Sequence, residues 1–240
     1  MPAISPAPDR PARNVVREYL YSKMTRTEPI EKARSEVDVP EEKKRDAASH
    51  GPRRTEHLLF RLAVHEASHA VIRLYLGLGT ITRITIDAPE GGYIAWRTDE
   101  LHEQTEEFFT AVLAATLAGR AGEAVIIGSV GASGGDDRQA SDHAVATRIA
   151  FDMETAMGFG QKWPLLHRGS SDPQFLLAID PELAHHVNAR LDAAYVAARK
   201  MVAKQRAAIG HLVEALLVHG TLEGSELEQV LDRTRKLIRE

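Results

Sequence analysis

The chain has 240 residues, room for one large domain or two small ones. Its 43% hydrophobic and 27% charged content and its net charge of -4 exclude a wholly disordered, collagenous or membrane-embedded protein and give no sign of a nucleic-acid-binding surface. The absence of cysteine excludes disulfides, thiolate metal sites and cysteine nucleophiles.

Residues 1–56 stand apart. They hold seven of the eleven prolines, with 12 basic and 10 acidic residues and few apolar ones. Such a segment cannot bury enough apolar surface to offset its ordering entropy, so it is expected to be a disordered arm, with only Val15 to Met24 suited to a short amphipathic helix. Met1 to Arg10 lacks the apolar core of a signal peptide, and Glu18, Glu28, Glu31 and Glu36 do not suit a transit peptide. No stretch approaches the roughly 18 apolar residues of a membrane span. These features set the expectation of a soluble cytoplasmic protein.

From about Thr55 the pattern is helical. Leu58, Leu62, His65, His69, Ile72 and Leu76 recur at spacings of four and three, one face of a helix that Gly77 and Gly79 end. Thr80 to Ile86 and Tyr93 to Arg97, separated by Gly91-Gly92, read as two strands. A helix near 103–118 turns Phe109, Val112, Leu113, Thr116 and Leu117 inward, and a short one covers about 120–127. Gly128 to Asp137 is a glycine- and serine-rich loop, followed by a helix over roughly 139–157 that buries Val145, Ile149, Met153 and Ala156. Asp180-Pro181 caps a long helix. Ile209 to Val218 forms another that stops at Gly220, and Ser225 to Glu228 reads as a capping box opening the last helix.

His65-Glu66-Ala67-Ser68-His69 is the segment that carries chemistry. On a helix, residues four apart share a face, so two imidazoles can reach one metal ion at about 2.0–2.1 Å. The glutamate between them is placed to take a proton from a metal-bound water. Both histidines lie on the apolar stripe of their helix, where an imidazole needs a hydrogen-bond partner or a metal. Zinc requires a third protein ligand, and without cysteine this is a histidine or a carboxylate. No histidine follows His69 until His102. Asp136, Asp137 and Asp142 are the acids offered by the glycine-rich loop and the helix after it. Asp142 shares the helical phase of Val145 and Ile149, although an acid at a helix N-terminus is also favoured by the dipole alone.

Several separated segments resemble the peptidase domain of the FtsH-type ATP-dependent zinc proteases. They are HEASHAVI at His65–Ile72, Ala118-Gly119-Arg120-Ala121-Gly122-Glu123 with Gly128 beyond it, and Ser141 to Thr147 followed by Gly158-Phe159. The family patterns there are HEAGHA, GRAAEE and ND-x-x-x-AT. Ala194-Tyr195 and Gly220-Thr221-Leu222 are also similar, and the resemblance covers about 57–235. It implies that His65, His69 and Asp142 bind Zn2+ and that Glu66 is the general base. It places Glu123 at the first acid of GRAAEE, where it would orient a ligand histidine or pair with an arginine such as Arg120. Three departures stand out. Ser68 replaces glycine, the loop Ser129 to Ala140 differs, and no G-x-x-x-x-G-K-[ST] nucleotide motif or membrane anchor is found in these 240 residues.

The sequence therefore predicts a mainly helical α+β, zincin-like metallopeptidase domain over 57–240 behind the 1–56 arm. The expected activity is zinc metalloendopeptidase, through a zinc-activated water with Glu66 as base. The strand at Tyr93–Arg97 would either receive an extended peptide or serve as an internal hairpin. The expected partners are a polypeptide substrate, a separate AAA ATPase feeding the site, and further copies of the chain in a homo-oligomer. A non-catalytic scaffold that keeps the peptidase fold is the rival reading.

Overall fold

The computed structural model describes residues 54–89, 91–98, 102–132 and 141–239. The arm, including the helix expected at Val15 to Met24, and most of the loop with Asp136 and Asp137 lie outside these residues. Helix α1 spans Glu56–Tyr75 and runs into the antiparallel hairpin β1 (Thr80–Ala88) and β2 (Gly91–Arg97). Then come α2 (Glu106–Thr116), α3 (Ala118–Gly122) and a π-helical turn, Glu123–Ile127. After the loop follow α4 (Asp142–Thr155), α5 (Pro173–Ile179), α6 (Pro181–Lys204), α7 (Arg206–His219), β3 (Thr221–Glu223) and α8 (Gly224–Leu237). The fold is mainly helical α+β, with one three-stranded antiparallel sheet in the order β2-β1-β3.

Helix α1 is the central element. Ala63, Val64, Ala67, Ala70 and Val71 are completely buried, so small side chains let α3, α7 and the hairpin approach its backbone closely. The stripe anticipated from spacing is core only in part: His69 and Ile72 are buried, but Leu58 is 40% exposed and His65 only half-buried. Around the two histidines, α2, the π-helical turn and α4 supply polar partners. Helix α2 is capped by Thr105, whose hydroxyl accepts from Phe108 N–H at 3.2 Å, and buries Phe109, Val112 and Leu113. Helix α6 packs on α2, α3 and α4 through Leu183, Val187, Ala194, Ala198 and Val202.

Three elements differ from expectation. Helix α5 repeats the Asp-Pro start seen at α6, with Asp172 capping Phe175 N–H at 3.0 Å. Thr221–Glu223 is drawn into the sheet as β3, pairing with Arg83, Ile84 and Thr85. The chain consequently reaches α8 in extended conformation, with Glu223 at the N-cap and no side-chain cap, so the capping box at Ser225 does not form. No single helix among the described residues is long and apolar enough to cross a membrane.

Candidate metal centre

Helical geometry brings His65 and His69 together, with their Nε2 atoms 3.1 Å apart. Asp142 comes from the first turn of α4, whose start is fixed by Ser141, the hydroxyl of which accepts from Ala144 N–H at 3.2 Å. Asp142 Oδ2 lies 3.0 Å from His65 Nε2 and 3.1 Å from His69 Nε2. Asp136 and Asp137 lie outside the described residues.

The other imidazole nitrogens define the tautomers. His65 Nδ1 is 2.8 Å from Glu123 Oε1, and His69 Nδ1 is 2.9 Å from the carbonyl oxygen of Ala115 on α2. A carboxylate and a carbonyl only accept, so each Nδ1 carries its hydrogen and donates. In the neutral rings both Nε2 atoms then present lone pairs to the same point, together with a carboxylate oxygen. Three lone pairs so close together suit a shared cation, a proton or a metal ion. The edges of the triangle, 3.0–3.1 Å, are near the ~3.3 Å edge of a tetrahedron with ~2.0–2.1 Å ligand bonds, so the donor set fits a zinc-sized ion.

The electrostatics agree. Burial pushes the His65 imidazole down, but its hydrogen bonds to Asp142 and Glu123 outweigh this and raise it to about 10 in the absence of an ion. Burial pushes Asp142 up, and the two imidazoles more than compensate, holding it well below the usual carboxylate range. The cluster attracts positive charge, and a metal would compete with a proton for it.

Glu66 lies beside this triangle, 5% exposed. Burial raises its pKa, and the histidines offset this only in part. Strand β2 passes directly over it: a Cβ on Gly92 would fall 2.6 Å from Glu66 Oε1. On the other side α3 comes equally near, since a Cβ on Gly119 would overlap Nε2 of both histidines. The room around the two imidazoles thus requires glycine at position 119.

Glu123 sits in the π-helical turn. Besides His65 it accepts from the Arg61 guanidinium and, at 2.7 Å, from Gly131 N–H. Its arginine partner is Arg61, one turn before His65 on α1, and not Arg120. Arg61 also donates to Ser129 O at 3.0 Å and to Ser129 Oγ at 2.9 Å, which pins the start of the glycine-rich loop to the same carboxylate. Spacing did not single out Arg61. The signal was its position four residues before His65, but its partners lie more than 60 residues away.

The profile of Peptidase family M41 matches residues 57–230. Three similar curated proteins bear closely related names. The ATP-dependent zinc metalloprotease FtsH of Chloroflexus aggregans is 30% identical over 73% of this chain and 29% of its own length. The ATP-dependent zinc metalloprotease FtsH 1 of Symbiobacterium thermophilum is 34% identical over 72% and 29%. The ATP-dependent zinc metalloprotease FtsH of Akkermansia muciniphila is 29% identical over 85% and 26%. The match thus takes in most of this chain but under a third of each relative.

Proposed function

This chain belongs to peptidase family M41, and from that premise we propose that it is a zinc metalloendopeptidase with its active site at His65, Glu66, His69 and Asp142. The observation that carries the reading is the convergence of His65 Nε2, His69 Nε2 and Asp142 Oδ2 within 3.1 Å of one another, with both Nδ1 hydrogens already committed elsewhere. These three residues would hold the zinc, with Glu123 and Ala115 O fixing the rings. A bound zinc ion supplies Lewis acidity and makes water acidic enough to be deprotonated near neutral pH.

The remaining steps belong to the chain. The buried carboxylate of Glu66, its pKa raised by desolvation, takes the proton of the attacking water and returns it to the leaving amine. Among the described residues no strand pairs with the outer edge of β2, and Gly92 brings that strand onto Glu66. An extended peptide adding to this edge would have its backbone held beside the base.

The relatives' names carry ATP dependence. This sequence has no Walker lysine, so we assign ATP hydrolysis to a polypeptide segment or subunit outside these 240 residues. The arm at 1–56 would be its docking segment. Alone, the chain would cleave short or already unfolded peptides.

The test is digestion of casein by the zinc-loaded chain, with mass spectrometry of the products. Cleavage should stop with 1,10-phenanthroline. Glu66→Gln should keep one zinc per chain and lose about 10²–10⁴-fold in kcat. A zinc-loaded wild type that cleaves nothing would mark a scaffold, and near-wild-type turnover by Glu66→Gln would remove the role given to that residue.

A further inference from the structure

One buried charged side chain near the site has no acid paired with it among the described residues. Arg73 lies one helical turn beyond His69 on α1, so Arg61, His65, His69 and Arg73 occupy a single stripe at steps of four. Arg61 is spent on Glu123 and Ser129. Arg73 is only 8% exposed, and its buried Nε has no hydrogen-bond partner among the described residues. Its guanidinium lies flat over the Trp96 ring, 3.7 Å from the centroid. Burial, with no carboxylate facing it among the described residues, lowers its pKa to about 9. Arg190 shows the usual arrangement, with Glu154 at 2.5 Å and Glu106 at 2.6 Å. A buried guanidinium stacked on an aromatic face, with no acid beside it among the described residues, can accept a carboxylate from a bound peptide.

Its place relative to the chemistry follows from β2. Gly92 faces Glu66 and Trp96 faces Arg73, so the strand and α1 run side by side in the same direction over this length. Positions 92, 94 and 96 share a strand face, while Tyr93 on the other face is 42% exposed. From the level of the histidine pair to Arg73 is about six residues of helix, roughly 9 Å. An extended peptide covers that distance in about three residues at ~3.3 Å each. Every pairing in this sheet is antiparallel. A peptide added antiparallel to β2 would run from the Arg73 end toward Glu66, with its N-terminal side at Arg73.

We propose that Arg73, held by Trp96, is a specificity-determining residue that receives an acidic side chain about three residues before the scissile bond. This deepens the peptidase reading and rests on it. The guanidinium offers a planar fork to a carboxylate, a fit that a glutamine amide cannot match.

The test separates recognition from hydrolysis. Zinc-loaded Glu66→Gln protein is titrated with fluorescein-labelled, alanine-rich nonapeptides in which a single Glu, or a single Gln, is moved through every position. Anisotropy should show one or two adjacent positions where Glu binds about ten-fold tighter than Gln at low salt, as one charge-assisted contact gives. The ratio should shrink with added salt. Arg73→Gln in the same background should bring it below about two-fold, while Arg73→Lys, which keeps the charge, should retain a clear preference. Thermal melts establish that each variant is folded. Absence of any position favouring Glu, or an unchanged ratio in Arg73→Gln, as expected if a carboxylate of the chain itself engages Arg73, overturns the proposal. Discrimination by peptides that the wild type does not cleave would instead overturn the peptidase reading and leave the acidic subsite standing.

Discussion

The hydroxyl of Ser68 occupies the space that a methyl group on Gly122 would need. A Cβ built on Gly122 would overlap Ser68 Oγ and lie 2.7 Å from Ser68 Cβ. Ser68 Oγ in turn donates to Val64 O at 2.6 Å, which satisfies it within a fully buried turn of α1. The FtsH-type pattern has glycine at the first position and alanine at the second, so the two departures are one exchange of volume across the α1–α3 contact. Gly122→Ala alone should overpack this contact and cost about 1–3 kcal/mol. Ser68→Gly/Gly122→Ala should recover most of that loss. Thermal melts of the two single variants and the double variant measure the coupling, and additive losses would show that the residues do not compete for the same space.

His65→Ala, His69→Ala and Asp142→Ala should each lose most of the bound zinc, because three protein ligands are the minimum for an open tetrahedral site. Asp136→Ala and Asp137→Ala should keep it. Metal content by inductively coupled plasma mass spectrometry, after dialysis, decides between them. Full zinc in Asp142→Ala with loss in either of the others would move the third ligand into the loop.

Glu123→Gln should weaken zinc affinity about 10–100-fold without abolishing binding. Burial pushes the Glu123 carboxyl up, but hydrogen bonds from His65, Gly131 N–H and Arg61 hold it at about 2. Its folded pKa is thus depressed, and the stability it contributes is present above the ordinary carboxylate pKa and lost as pH falls toward 2. Arg61→Ala should shift zinc affinity in the same direction by a smaller factor. Competition with a fluorescent chelator reads both, and unchanged affinity in Glu123→Gln would reduce that residue to a loop anchor.

Removing residues 1–50 should leave the melting temperature and the zinc content nearly unchanged, since that composition supplies no core. One kcal/mol corresponds to about 2–4 °C in a domain of this size, so a drop of about ten degrees would mean that the arm packs against the domain.

The parts of the molecule legible in the sequence are those governed by local rules. His65 and His69 share a face because of helical pitch, and the phase of Asp142 with Ile149 put the acid among the candidates although Val145 is only half-buried. Where contacts are distant in sequence the reading failed. Spacing puts Leu58 and Ile72 on one apolar stripe, yet only Ile72 is buried, and between them the histidines meet partners 46 to 77 residues away. The capping box at Ser225 was a sound local signal, but pairing of Leu222 with Ile84 extended the preceding backbone and moved the helix start to Gly224. Helix α5 was missed although Asp172-Pro173 carries the signal that identified α6 at Asp180-Pro181.

Asp142 meets His65 and His69 across 77 and 73 positions of sequence. An ion held there is therefore a clasp that closes a long loop of chain, as well as a reagent. Until it is in place, α4 is kept beside α1 by packing and by the hydrogen bonds of Asp142 to the two imidazoles, which a proton on His65 supports. Loss of the ion is then expected to make the α1–α4 seam easier to open, as well as to remove the Lewis acid.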